Sequence, residues 1–188
     1  MKTGLILAVL LAGVPALGFS QTSFAVRNAA TWIEAVNGIR EGGNDREYAI
    51  TVTGTVSVPA APSGENTFGP VAGITVTIAG NGTLSLSNIG NLLVIGAGQT
   101  VVAKDLALKG RDNNNRAVVF IQKQGAFRME GKASVTGNAS SSPGGGVYIN
   151  DGTFVMQDNA SVSGNTSADD GGGIFLTAEP SPCKTPPR

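Results

Sequence analysis

Catalysis needs reactive side chains held at fixed separations, and this chain offers few of them. It contains no histidine, so the commonest general base and imidazole ligand for transition metals are missing. Its single cysteine, Cys183, sits among prolines with no base implied beside it and reads as a free thiol rather than a nucleophile. Glycoside hydrolysis needs two carboxylates about 5 to 9.5 Å apart, one acting as acid and the other as base or nucleophile. The only adjacent acids are Asp169 and Asp170, in a loop where solvation alone favours them. Lyase chemistry needs a calcium cluster of carboxylates and a basic residue poised to take a proton. Asp105, Lys132 and Asp158 read as dispersed, with no acid repeated at a shared position. Gly96–Val101 lacks the third glycine of a dinucleotide loop, and no glycine-rich stretch carries the Lys-Ser/Thr of a phosphate loop. The expectation is no catalytic residue, no cofactor and no metal site.

The bulk properties narrow the partners. At 188 residues, 41% apolar and 14% charged, with a formal net charge of zero, the chain has room for one domain and no sustained field. Its basic residues are scattered, so nucleic acid is not expected as a partner. With one cysteine no intramolecular disulfide can form, and stability has to come from packing and backbone ladders.

What could position a site is a repeat. Gly144–Ile149 (GGGVYI) returns 27 residues later as Gly171–Leu176 (GGGIFL). Backwards, the same 27-residue step takes Gly152–Met156 to Gly125–Met129 and then to Gly98–Val102. Such a period marks stacked units, none of which can bury its apolar face alone. In this frame Leu93, Phe120, Val147 and Ile174 form one column of inward side chains, and Ile95, Gln122, Ile149 and Leu176 the next, with Gln122 its one polar member. Thr100, Phe127, Phe154 and Val102, Met129, Met156 make two more. Leu106, Ala133, Ala160 and Leu108, Val135, Val162 complete the set. Each pair of columns is one short strand. Ahead of them, Ile50 and Val52, Val56 and Val58, Ile74 to Ile78, and Leu84 and Leu86 alternate with polar residues at the strand period of two. Three strands per repeat, separated by Gly, Asn and Asp that accept positive φ, predict an all-β, right-handed parallel β-helix of about four to six rungs over residues 48–176. The leucine-rich and calcium-binding nonapeptide patterns do not fit.

The ends differ from the array. Residues 1–20, with Lys2, an apolar run from Leu5 to Ala12, and Gly18 and Ser20 at the −3 and −1 positions, read as a signal peptide. No membrane span is expected in the mature chain, because the run is too short. Residues 21–47 are expected to form an N-terminal cap built on one amphipathic helix from Thr31 to about Glu41. Thr31 and Glu34 have capping-box spacing, Trp32, Ile33, Val36 and Ile39 share a face, and Gly42-Gly43 stops it. Residues 177–188 hold four prolines and no alternation. Proline cannot donate to a ladder, so this tail either shields an open edge or replaces a longer array through a shifted reading frame. Self-association through an uncapped last rung is the corresponding expectation.

Asn138 and Asn165 fall on one column beside Gly137 and Gly164, where stacked amides could pair from rung to rung and hold the corner. The N-x-S/T matches at Asn81, Asn138, Asn159 and Asn165 follow from the same turn chemistry.

The repeat resembles those of bacterial parallel β-helix surface proteins, the polymorphic outer-membrane proteins and autotransporter-type passengers. Gly144-Gly145-Gly146-Val147 and Gly171-Gly172-Gly173-Ile174 are similar to their G-G-A-I motif. Val135–Asn138 and Val162–Asn165 keep the spacing of their F-x-x-N motif with Val in place of Phe. The resemblance covers residues 98–176 most clearly. It implies a displayed, adhesin-like passenger, normally longer and followed by a barrel, and so an exported, secreted or cell-surface module without catalysis. Two alternatives stay open. One is a carbohydrate-active enzyme of the pectin-lyase-like class. The other is a glycan- or ice-binding solenoid, suggested by the paired threonines of Thr51-Val52-Thr53 and Thr75-Val76-Thr77. The ligand of a surface module, glycan or protein, is not fixed by the sequence.

Overall fold

The computed structural model describes residues 21–177. The expected signal peptide, and the tail from residue 178, lie outside them. The chain winds as a parallel β-solenoid of about six turns with one helix near its start. In chain order the turns carry β1 (Thr22–Val26) and α1 (Ala29–Gly42); β2 (Glu47–Val52) and β3 (Thr55–Val58); β4 (Ile74–Gly80), β5 (Thr83–Leu86) and β6 (Leu93–Ile95). They continue with β7 (Gln99–Lys104), β8 (Ala107–Lys109) and β9 (Val119–Ile121); then β10 (Ala126–Glu130), β11 (Ser134–Thr136), β12 (Ala139–Ser140) and β13 (Val147–Asn150). The last described turn holds β14 (Thr153–Met156), β15 (Ser161–Ser163), β16 (Thr166–Ser167) and β17 (Ile174–Thr177).

Three parallel sheets form the walls. The first runs β1-β2-β4-β7-β10-β14, the second β3-β5-β8-β11-β15, and the third β6-β9-β13-β17. Side chains alternate across each strand, so every sheet lays one set of columns into the tube. Tyr48, Val76, Val101, Phe127 and Phe154 stack in the first, with the rings of Phe127 and Phe154 5.6 Å apart and nearly parallel. Val56, Leu84, Leu108, Val135 and Val162 stack in the second. Leu93, Val119, Val147 and Ile174, beside Ile95, Ile121, Ile149 and Leu176, stack in the third.

The strict 27-residue frame therefore needs correcting. Core places assigned to Thr100 and Val102 belong to Val101 and Ala103, which pair with Phe127 and Met129. Those assigned to Phe120 and Gln122 belong to Val119 and Ile121. The cause is local: β8 to β9 is one residue shorter than β11 to β13, and β9 to β10 is one residue longer than β13 to β14. These two changes cancel, so they put the frame out only within β9; β7 slips separately, because the step from β7 to β8 is one residue shorter than that from β10 to β11. A one-residue slip exchanges the inner and outer faces, and Phe120 and Gln122 consequently lie on the outside. The columns of Leu106 with Ala133 and of Leu108 with Val135 and Val162 stand as expected.

The triple glycines are dictated by backbone proximity. A Cβ on Gly145 would meet the carbonyl oxygens of Gly172 and Thr166, and one on Gly146 would lie 2.5 Å from that of Gly173. Gly144 and Gly171, at φ 70° and 63°, occupy the left-handed region.

The N-terminal cap differs in two respects. Residues 22–26 already form β1, which pairs with β2. The helix starts two residues earlier than expected, because Asn28 is its cap: Thr31 N donates to Asn28 Oδ1 at 3.0 Å and Asn28 N to Thr31 Oγ1 at 3.2 Å. The box is Asn28 with Thr31, not Thr31 with Glu34. Helix α1 packs on β1 and β3 and buries Trp32, Ala35 and Ile39 in the core, while Ile33 stays 45% exposed. It thus covers apolar columns that the first turn would otherwise open to water. At the other end β17 reaches Thr177, one residue beyond the expected boundary.

Candidate functional site

Placing Phe120 outside creates the most distinctive surface of the molecule. On the outer face of the third sheet, Val94, Phe120, Tyr148 and Phe175 occupy one register position on successive turns. The rings of Phe120 and Tyr148 stack with centroids 5.0 Å apart and planes 26° off parallel; Tyr148 and Phe175 follow at 5.4 Å, tilted by 50°. This ladder borders a groove of about 890 Å³. One wall is the loop Ala60–Glu65, and the others are Asn88–Asn91, Asn115–Ala117 and Ser142-Pro143. Gln122 also lines it, so the one polar member of an expected core column is a groove residue instead.

The walls are held by polar side chains, Thr67 and Gln99 buried and Arg40 partly so. Arg40 of α1 donates from Nε to Thr67 O and from Nη2 to Asn66 O, both at 3.0 Å, and pairs with Glu65 at 3.3 Å. Thr67, 3% exposed, accepts Val94 N on its hydroxyl at 2.8 Å. Gln99, 1% exposed, accepts Gly96 N and donates to Gly69 O and Val71 O. These bonds tie the loop of residues 59–73 to the helix and the third sheet, leaving its tip to face the groove.

The opposite wall rests on asparagines. Asn138 Nδ2 donates to Arg116 O at 2.8 Å and Gly145 O at 2.7 Å, while Oδ1 accepts from Arg111 N and Asn114 Nδ2. Asn114 Nδ2 donates in addition to Arg116 O and Gly90 O. The expected pairing of stacked amides is corrected here. Asn165 Oδ1 accepts Asn138 N from the backbone, and Asn165 Nδ2 reaches Val135 O and Ser163 O; the amide-to-amide bond is between Asn114 and Asn138. The reason is that a corner exposes backbone N–H and C=O groups, and saturating those in the interior outweighs pairing two amides.

The acids singled out from the sequence do not converge on this groove. Among its lining residues Glu65 is the single carboxylate. Asp105 and Asp158 are less dispersed than their spacing suggested: both adopt φ 57° at equivalent corners on either side of Gly131. Each carboxylate accepts a backbone N–H of the intervening turn at 2.9 Å, Lys132 N for Asp105 and Gly131 N for Asp158. They saturate the corner. Asp169 N bonds Ser167 Oγ and Asp170 O accepts Gly144 N, and neither residue lines the groove. Among the described residues no group of three or more His, Cys, Asp or Glu is placed to hold a metal ion.

The outer face of the first sheet carries the paired threonines. Thr75 lies beside Glu47 and Thr100, and Thr77 beside Ala49 and Val102. Further along that face Arg128 and Glu130 form an ion pair at 2.8 Å. At these positions threonine follows threonine on one step, Thr75 to Thr100, flanked by Glu47 and Ala126, which is a pair and not an array.

Comparison of the chain with protein-family models, with curated proteins and with solved structures gave no match.

Proposed function

We propose that this chain is a non-catalytic, exported, adhesin-like β-solenoid that binds an oligosaccharide in the groove over its third sheet. The observation that carries the reading is the outward ladder Phe120–Tyr148–Phe175 beside a groove lined by the amides Asn88, Asn91, Asn115 and Gln122. Sugars present apolar C–H faces and polar hydroxyl rims together, and aromatic rings beside amides meet both. A groove crossing successive turns suits a linear polymer. Export and surface display are supported by the leader-like residues 1–20 and by the glycine-triplet resemblance.

The test is titration calorimetry of the full chain against linear oligosaccharides, alongside an assay for newly formed reducing or unsaturated sugar ends. Binding without release of sugar, weakened at least tenfold by Phe120→Ala, is the expected result. Release of sugar would replace this reading with that of a carbohydrate-active enzyme. Binding unaffected by Phe120→Ala and Tyr148→Ala would remove the groove from the account.

A further inference from the structure

Helix α1 and the loop that follows β3 enclose a second hollow, a cleft of about 280 Å³. Its helical side is Trp32, Ile33, Val36 and Arg40, which the spacing of an α-helix places on one face. The Arg40 side chain reaches across to Thr67 O and Asn66 O, and this fixes that face toward the loop. Pro59 and Leu92 stand opposite.

The cleft suits hydrocarbon. Trp32 and Leu92, 3% and 1% exposed, belong to the core, whereas Ile33 on the same helical face is 45% exposed and leaves apolar area uncovered. Of the polar residues that line it, Thr67 and Arg40 are already bonded: the Thr67 hydroxyl accepts Val94 N, and the Arg40 guanidinium holds two carbonyls and Glu65. A polar group entering here would give up its hydrogen bonds to water with little in return. An apolar cavity of about 150 Å³ takes up a benzene ring, so this cleft has room for a chain of roughly ten carbons.

The cleft adjoins the groove. Ala60, Ala61 and Pro62 line both, so a groove of rings and amides and an apolar cleft share one stretch of small side chains. One molecule with a polar part and an apolar part can occupy the two together.

We infer that the ligand is an amphiphilic glycan, a linear oligosaccharide carrying an alkyl or acyl chain at one end, with its sugar in the groove and its chain in the cleft between α1 and the loop. This rests on the groove being a glycan site, and it adds the ligand class and a second subsite.

The experiment titrates the full chain with maltotriosides and cellotriosides bearing methyl, butyl, octyl or dodecyl at the reducing end, each kept below its micelle concentration. Burying one methylene raises affinity by up to about fourfold. A gain of about tenfold or more from methyl to octyl is therefore expected, levelling off once the chain outgrows the cleft. Trp32 is the single tryptophan, and an octyl chain brominated at its tip, a contact-range quencher, should quench its fluorescence. Ile33→Asp, at an exposed position outside the groove, should remove most of the gain. Equal affinities across the chain lengths, a gain that survives Ile33→Asp, or binding without quenching of Trp32 overturns the inference while leaving the glycan site standing. No binding of any member by a chain with an intact melting transition overturns both.

Discussion

Asn138 shows how a residue with no reactive group governs this surface. It is 2% exposed, and its side-chain amide makes four hydrogen bonds, to Arg111, Asn114, Arg116 and Gly145. Replacement by alanine strands carbonyl and N–H groups in the interior, where each unsatisfied group costs about 1–3 kcal/mol. Asn138→Ala is therefore expected to lower stability by about 2–4 kcal/mol in denaturant unfolding, and Asn138→Asp to lower it as well, because the two donated bonds are lost. Unchanged stability in both variants would contradict the corner network. The sequence singled out Asn138 through its N-x-S/T match and its column with Asn165. It did not disclose that the amide serves the backbone of Arg116, since that residue is 22 positions away and belongs to a loop with no repeat signature. Gln99 and Thr67 escaped notice for the same reason: a buried polar side chain satisfied by distant backbone groups has no local pattern.

At the scale of elements, the solenoid geometry explains both what the 27-residue period revealed and where it failed. Inward positions on β10, β11 and β13 to β15 follow the frame because their corners have equal lengths. The slip at β9 was invisible because a missing residue and an extra one offset each other, and because Phe is as acceptable in a core column as on an aromatic face. The β4 to β7 step has the same character, with Val76 pairing Val101 only 25 residues on. The cap was legible as an amphipathic helix closed by Gly42-Gly43, while β1 escaped notice in its short run ahead of the helix. Glycine triplets supply an element-level prediction. Gly145→Ala places a methyl against the carbonyls of Gly172 and Thr166, so the last two turns must separate. A loss of about 2 kcal/mol or more is expected, with faster amide hydrogen exchange confined to β13 and β17. Unaltered exchange there would show that the turns stack less closely than described.

Across the described turns as a whole, the first and the last are unequal. Helix α1 covers the first turn, whereas the last described strands β14, β15 and β17 close their sheets with inward positions partly open: Met156 is 39%, Ile174 43% and Leu176 62% exposed. Edge strands with apolar columns invite pairing with another chain. The full chain is expected to self-associate in sedimentation velocity, with a sedimentation coefficient that rises with concentration, and Ile174→Lys with Leu176→Lys should shift it toward monomer. A sharply melting monomer at every concentration would contradict this. The groove lies on the side of the tube rather than at either end, and its walls come from four turns, so its ligand is recognised by the stacked array rather than by any one repeat. The most direct measurement of that claim is NMR of the aromatic side chains during titration with a linear oligosaccharide that the chain binds. The resonances of Phe120 and Tyr148 should shift with ligand while those of Phe127 and Phe154, stacked inside the tube, stay in place. Saturable binding without any shift at Phe120 and Tyr148, or with shifts at Phe127 and Phe154 instead, would contradict both the outward register of β9 and the groove as the site.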